Sequence, residues 1–403
     1  MASLADHHHL HFVLIPFMCP GHLIPMVDLA RLLAQHGVIV TLITTPLNAI
    51  RFAIRFEKII NRDIQSGLPI RLLKLRFPCA EAALPEGCEN VDSLPSRNLS
   101  KNFSDAARML QQPIEKFLEE TSPGPSCIVS DRYLPWTINV SRKFGIPRLA
   151  FDGTSCFAFI CSHKVMLSRI HEKVSDSEYF VVPGLPDRIE LTKAQLPSTI
   201  NQSSTTFRDR HEEIKAADET SYGLVFNSFQ ELEDTYVEEC RKLQGDKIWC
   251  IGPVSLCNKE NIDKGQRGNK TSIDEEQCLK WLNSWPSKSV VYACLGTLGC
   301  MSPLQLIELG LALEASKRPF MWVIRDGGEE EKYGVMLKRE EIRKAIEMVM
   351  DEEEGKEKRK KAREVGRMAK KAFGRRTGGG SSHRNFKLPV EDILKESKRR
   401  LCT

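Results

Sequence analysis

The stretch His11-Phe-Val-Leu-Ile-Pro-Phe-Met-Cys-Pro-Gly-His-Leu-Ile-Pro-Met-Val-Asp-Leu-Ala-Arg-Leu-Leu33 decides how the chain is read. Phe12 to Ile15 is an apolar run too short for a helix and reads as a buried strand. Pro16 and the Cys19-Pro20-Gly21 cluster break it. Pro25 then falls in the first turn of a helix, where its missing N–H costs nothing. Met26, Leu29, Ala30 and Leu33 recur at the spacing of one helical face. His22 is therefore expected in the loop between the strand's carboxyl end and the helix N-terminus, the crevice where open parallel sheets bind ligands. A helix N-terminus disfavours imidazolium, which biases a histidine there towards the neutral form that a general base needs. The alternative is an ordinary loop histidine.

Outward from that unit, 403 residues are too many for one ordinary core and imply two domains. A hydrophobic share of 41% and a charged share of 28% are those of a soluble globular chain. No apolar run reaches the roughly 18 residues of a membrane helix, and the start, Met1-Ala-Ser-Leu-Ala-Asp, lacks the basic region of a signal peptide. Thirteen cysteines without a Cys-x-x-Cys pair argue against a disulfide framework and against zinc. They point to a reducing compartment, so a cytoplasmic location and no metal are expected. The Asn-x-Ser/Thr triplets at Asn98, Asn102, Asn139, Asn201 and Asn269 are then unused. A net charge of +5 is mild and gives no reason to invoke nucleic acid. His7-His8-His9 with His11 is expected in a frayed terminus rather than around a metal.

Further along, Val38–Thr44 and Ile70–Leu75 read as strands, and Leu47–Arg62 as a helix between them, a βαβαβ signature of a parallel sheet. Residues 79–103 carry turn signals, and Ala106–Glu120 returns to helix. Cys127-Ile-Val-Ser-Asp131 is a strand ending in a carboxylate, so Asp131 takes the same kind of position as His22. A helix N-cap is the competing role for Asp131. Arg148–Phe151, Leu224–Phe226 and Ile248–Ile251 are further strands, with 172–205 a surface excursion. Ser228-x-x-Glu231 and Ser272-x-x-Glu275 read as capping boxes, and Ser302-Pro303-x-Gln305 as a helix start. Val290–Leu295 and Phe320–Ile324 are strands, after which only helical segments follow. The basic run Lys356–Lys361 belongs to a helix whose apolar face is Val365, Met368, Ala369 and Ala372, which makes it a solvated face rather than a nucleic-acid patch.

These residues resemble the plant family of UDP-dependent glycosyltransferases, in the subgroup acting on terpenoid, steroid, hormone and phenolic acceptors. The resemblance lies in Pro16–Asp28, Leu84–Asp92, Ser130–Trp136, Val182–Arg188, Gln277–Leu282, Val290–Thr297, Glu314–Arg325 and Gly380–Ser382. It implies an α/β fold of two Rossmann-like lobes, the GT-B type. The acceptor lobe would span 1–252, a linker 253–274 and the donor lobe 275–403. It implies an inverting transfer of a sugar, glucose, from a UDP-sugar to a hydroxyl of a small plant metabolite, by a monomer without a cofactor. By resemblance His22 is the general base, Asp131 the carboxylate that orients it, and Gly21 and Thr297 lie near the donor phosphates.

One block of the family pattern is missing. After the Trp322-Val-Ile-Arg strand the family carries a long donor box, opening Trp-Ala-Pro-Gln and passing through His-Cys-Gly-Trp-Asn-Ser. Here the text runs from Arg325-Asp-Gly-Gly328 almost directly into Lys332-Tyr-Gly-Val-Met-Leu-Lys-Arg339. The N-terminal lobe is thus expected to be complete and the C-terminal lobe internally truncated. A non-catalytic small-molecule binder, or an inactive mis-spliced product, is the alternative reading.

Overall fold

The computed structural model describes residues 10–53, 62–197, 200, 205–259, 273–296, 301–324, 336–351, 353–374 and 379–401. In chain order the N-terminal part holds β1 (His11–Ile15), α1 (Pro20–Gln35), β2 (Ile39–Thr44), α2 (Pro46–Ala53), β3 (Ile70–Lys74), α3 (Ser100–Met109) and α4 (Gln111–Glu120). It continues with β4 (Cys127–Asp131), α5 (Thr137–Phe144), β5 (Arg148–Asp152), α6 (Cys156–Ser168) and the hairpin β6 (Tyr179–Val181) and β7 (Glu190–Thr192). Then come α7 (Thr205–Glu219), β8 (Gly223–Phe226), α8 (Asp234–Gln244) and β9 (Ile248–Cys250). Seven strands form one parallel sheet in the order β3-β2-β1-β4-β5-β8-β9. Every residue of β1, β4 and β5 is buried, as a parallel sheet covered on both faces requires.

Several local expectations shift by a few residues, each for a stated reason. Helix α1 starts at Pro20, because Cys19 takes the extended conformation of a cap (φ −146°, ψ 139°) and proline suits the first helical position. Pro25 therefore sits inside the helix and has no N–H to offer the carbonyl of Gly21. The expected helix over 106–120 is two helices that meet at Leu110. Ser228 does not open a helix. A short 3-10 turn covers Gln230–Leu232 and α8 begins at Asp234. At 275 the cap is Asp274, whose carboxylate accepts from the amides of Glu276 and Gln277. Residue 272 lies outside the described residues. Ser302 caps as read, accepting from the Gln305 amide at 3.2 Å. His11 is not part of a frayed end. It is fully buried in β1, with Nε2 2.8 Å from Thr41 Oγ1 and Nδ1 3.0 Å from the Pro123 carbonyl.

After β9 the chain turns sharply at Gly252, where a Cβ would come within 2.6 Å of the Asn227 backbone, so only glycine fits. The turn Val254–Cys257 then packs back on α1, and Asn258 bonds both Asp28 (3.0 Å) and Arg31 (2.6 Å) of that helix. The rest comprises α9 (Glu275–Asn283), β10 (Val291–Cys294), α10 (Pro303–Ala315), β11 (Phe320–Val323), α11 (Arg339–Met350), α12 (Glu353–Phe373) and α13 (Ser381–Leu401). Strands β10 and β11 pair in parallel as a sheet of two, and no strand follows β11 among the described residues.

The two ends of the chain are interlocked. Helix α13 returns to the N-terminal sheet and places Phe386, Val390, Ile393 and Leu394 in the same apolar core as β1. Ser382 bonds the Gly252 carbonyl at 2.6 Å and Asn385 the Cys250 carbonyl at 3.2 Å. The apolar face of α12, Val365, Met368, Ala369 and Ala372, packs against Phe229, which leaves its lysines in solvent as the sequence pattern required. By contrast α10 exposes Leu304 (64%) and Ile307 (57%). Truncating Ile393 to Ala should therefore cost about 2–5 kcal/mol, since it opens a cavity in the main core. Leu304→Ala should stay within about 0.5 kcal/mol. Urea denaturation of both variants checks this; equal effects would mean that α13 is not part of that core.

Candidate active site

The sheet reverses its direction of growth between β1 and β4: β2 and β3 lie to one side of β1, and β4, β5, β8 and β9 to the other. At such a switch point the loops leaving adjacent strands part and open a crevice. Ile15 is in register with Ser130, so the residues that follow the two strands share that crevice. From the β1 side comes His22, which the structure puts in the first turn of α1 rather than in the preceding loop. From the β4 side comes Asp131, fully buried. The two meet, with His22 Nδ1 2.8 Å from Asp131 Oδ2.

Asp131 is held from several directions. Its Oδ1 accepts from the Tyr133 amide at 2.9 Å, so it stabilises the turn after β4 and does not cap α5. Beneath it lies the buried Arg148, which donates to Ser130 and Thr137 at 2.8 Å, to Ser221 at 2.6 Å and to the Asp131 carbonyl at 3.4 Å. Burial pulls the Arg148 pKa down to about 10, against the fields of Asp218 and Asp131. Phe17 and Tyr133 both pack edge-on against the His22 ring at a centroid distance of 5.4 Å and lie 6.3 Å from each other. The His22 side chain keeps 24% of its surface accessible. The Nδ1 bond and the two ring contacts fix the ring's orientation.

The electrostatics differ from the sequence-based expectation of a histidine biased to neutrality. Burial does lower the His22 pKa, but the charge of Asp131, its hydrogen bond and the charge of Asp152 together outweigh burial and raise it above 6.5. Asp152 belongs to a second layer. Arg132 reaches Asp152 at 3.1 Å and Asp218 at 2.8 Å, and lies 4.6 Å over the Phe159 ring. Those two carboxylates keep Arg132 firmly protonated despite burial. Asp152 ends β5 just as Asp131 ends β4, but the strand read from the sequence stops at Phe151 and misses it, although a carboxylate closing a buried strand is the same signal. Phe17 and Tyr133 carried no such signal, because edge-on packing across two loops has no linear spacing.

Gly21 is exposed beside His22, with open space where a Cβ would stand. Thr297 lies outside the described residues. A cavity of about 780 Å³ on α9, lined by residues such as Asp274, Glu276 and Lys280, shares no residue with this crevice. Among the described residues no cluster of metal-ligating side chains occurs, and no helix is long and apolar enough to cross a membrane.

A family model described as "Glycosyltransferase, N-terminal domain" matches residues 8–256. UDP-glycosyltransferase 73C5 of Arabidopsis thaliana is 39% identical over an alignment of 486 residues, covering 96% of this chain and 97% of the relative. The chain belongs to the plant family 1 UDP-glycosyltransferases. Like the other members it is α/β with the GT-B fold. UDP-glycosyltransferase 73C13 of Barbarea vulgaris is 40% identical over 491 residues, covering 96% of both. These alignments run over more positions than the 403 residues of this glycosyltransferase, so the relatives carry residues with no counterpart here. Among solved structures, UGT73P12 of Glycyrrhiza uralensis, complexed with glycyrrhetinic acid 3-O-monoglucuronide, superposes with a TM-score of 0.85 at 29% identity over 97% of both chains. UGT71G1 of Medicago truncatula, complexed with UDP-glucose, gives 0.75 at 18% identity, covering 97% of this chain and 100% of its own.

The raised His22 pKa has a measurable consequence. Its contribution to folding is fully present below pH 6.5 and is lost as pH rises through the higher folded-state value. An NMR titration of His22 should show a midpoint above 6.5. In Asp131→Asn, with the opposing charge gone, burial should carry the midpoint below 6.5. A midpoint that does not move would break the electrostatic assignment.

Proposed function

We propose that this chain is built for inverting transfer of a sugar, glucose, from a UDP-sugar to a hydroxyl of a small plant metabolite. His22 acts as the general base and Asp131 orients it. The observation that carries the reading is the 2.8 Å contact of Asp131 with Nδ1, which directs the unshared pair of Nε2 into the crevice. An acceptor hydroxyl is a poor nucleophile at neutral pH. Bound at Nε2, it passes its proton to the imidazole as its oxygen attacks the anomeric carbon. The bond from that carbon to the UDP oxygen breaks, and its electron pair leaves on the diphosphate. Attack from the face opposite UDP inverts the configuration. Asp131 fixes the tautomer and stabilises the imidazolium that forms. Gly21 offers backbone near a helix N-terminus to the donor phosphates, and Thr297 is the second donor-side residue. UDP-sugar is a co-substrate, and no metal or prosthetic group enters this step. The acceptor lobe is 1–252, joined by α13 from the end of the chain, and the donor lobe is drawn from the rest of 275–403, in a monomer of the cytoplasm. The described cysteines, all free, suit such a reducing compartment.

A second reading applies to this form of the chain: it binds acceptors and transfers little or nothing. Two observations favour it. The alignments with relatives exceed the chain's own length, and the described donor-side sheet has only β10 and β11. A lost donor block after about Gly328 accounts for both. Each hydrogen bond to a charged group is worth about 1.5–3 kcal/mol. Losing three of them removes roughly three to six decades of donor affinity. Calorimetry with UDP and UDP-glucose should therefore show no saturable binding at micromolar ligand. Micromolar binding, or glucoside formation lost in His22→Ala, would overturn this second reading.

The dyad itself is tested by grafting the missing block from a close relative. In the graft, His22→Ala should reduce kcat by roughly a hundred- to ten-thousandfold. Asp131→Asn should also be severely impaired. Retention of most of the rate in His22→Ala would remove His22 from the mechanism.

A further inference from the structure

We infer that the acceptor crevice selects an anionic acceptor, a hydroxylated carboxylic acid whose carboxylate is held by Arg210, the guanidinium that bonds the backbone of Tyr133. The inference rests on the reading of His22 as the base that faces the acceptor hydroxyl.

Arg210 lies on α7 and is half-buried. Its Nη2 makes one long hydrogen bond, 3.4 Å, to the carbonyl of Tyr133. The Tyr133 ring is the one packed edge-on against His22, so the guanidinium and the base both contact Tyr133, one through its backbone and the other through its ring. Among the described residues no carboxylate pairs with Arg210 within ion-pair distance. The acids nearest to it electrostatically are already engaged: Glu213 bonds Arg108 at 2.6 Å and Asp105 bonds Lys101 at 2.7 Å. Arg132, the other guanidinium at this wall, is taken up by Asp152 and Asp218.

A partly desolvated cation without a counter-ion is costly, and the fixed fork of a guanidinium matches a carboxylate. Burial lowers the Arg210 pKa, with Tyr133, Glu213 and Asp105 opposing, which shows the cost of holding the charge there. Further cations lie nearby. His211 on α7 and His163 on α6 both have lowered pKa values, through burial and through neighbouring cations, Arg132 and Lys215 for the first, Lys215 and Lys164 for the second. An anion entering here meets Arg210 and these imidazoles, while the nearby carboxylates Asp152 and Asp218 are paired with Arg132. An acceptor that places its hydroxyl at Nε2 and its carboxylate at Arg210 passes along Tyr133, so the two groups belong on well-separated atoms of the molecule.

The test measures acceptor binding and so needs no donor site. Equilibrium dialysis of the full chain is run with 4-hydroxybenzoate, 4-hydroxycinnamate and glycyrrhetinic acid, each against its methyl ester. At least one acid should bind about ten- to a hundredfold tighter than its ester, the discrimination expected of one charge-assisted hydrogen bond. In Arg210→Gln that preference should collapse to within about threefold while ester affinity is unchanged, which also shows that the variant is folded. Arg210→Lys should keep part of it, having the charge without the fork. Esters that bind as well as acids, or a preference that survives Arg210→Gln, would overturn the inference and leave the acceptor-binding reading standing. Binding of neither form of any pair would overturn that reading and the inference with it.

Discussion

The parallel pairing of β1 with β4 is the constraint on which the site depends. Strand β1 is drawn from the start of the chain and β4 from more than a hundred residues later, and their register sets Ile15 beside Ser130. Parallel strands leave all their carboxyl ends at one edge, and the reversal of order at β1 splays the outgoing segments apart. His22 and Asp131 therefore face each other across a gap that is opened by topology and closed by one hydrogen bond. The two strands are buried on both faces, so a slip of one residue would exchange the side chains packed against the two covering layers and break the packing of both. The dyad geometry is thus secured by the hydrophobic register, a much larger energy than the hydrogen bond itself.

Around that bond the buried charges are arranged in layers. Asp131, Asp152 and Asp218 are balanced by Arg132 and Arg148. With His22 neutral the group holds three carboxylates against two guanidiniums. Of these, the charges of Asp131 and Asp152 and the Asp131 hydrogen bond are the reason burial fails to depress the His22 pKa. A base with a raised pKa is stronger but less often unprotonated, a compromise suited to a reaction in which the imidazolium must form on the reaction path. Phe17 and Tyr133 contribute orientation, each packing edge-on against the ring.

The two parts of the chain differ in how well they satisfy their own surfaces. The seven-stranded sheet is covered and shares its core with α13, which comes from the end of the chain. The pair β10–β11 leaves Tyr292 64% exposed, and α10 leaves Leu304 and Ile307 in solvent. Sheets of two strands bury little and keep both edges open. The weak region is therefore flanked on both sides in sequence by elements anchored to the strong one: the Val254–Cys257 turn on α1 before it, and α13 on β9 after it.

Much was legible in the sequence alone. Short apolar runs bounded by Pro and Gly marked β1, β2, β4, β5, β8 and β9, because burial on both faces of a parallel sheet demands such runs whatever the strand order. The position of Asp131 at a strand end and of His22 just after one was also readable, since it depends only on where a run stops. Where helices begin was less so: Pro20 and Asp274 won over Pro25 and Ser272 because cap geometry depends on backbone angles that residue type merely favours. Strand order, and with it the meeting of His22 and Asp131, was decided by the tertiary structure. Contacts between segments far apart in the chain follow from the packing of whole faces, which no local window contains. The same holds for the sign of the His22 pKa shift, set by Asp131 and Asp152 from two other strands, and for α13, whose apolar face could have covered either sheet. Local composition determines which elements form; only the fold determines which charges end up in one another's field.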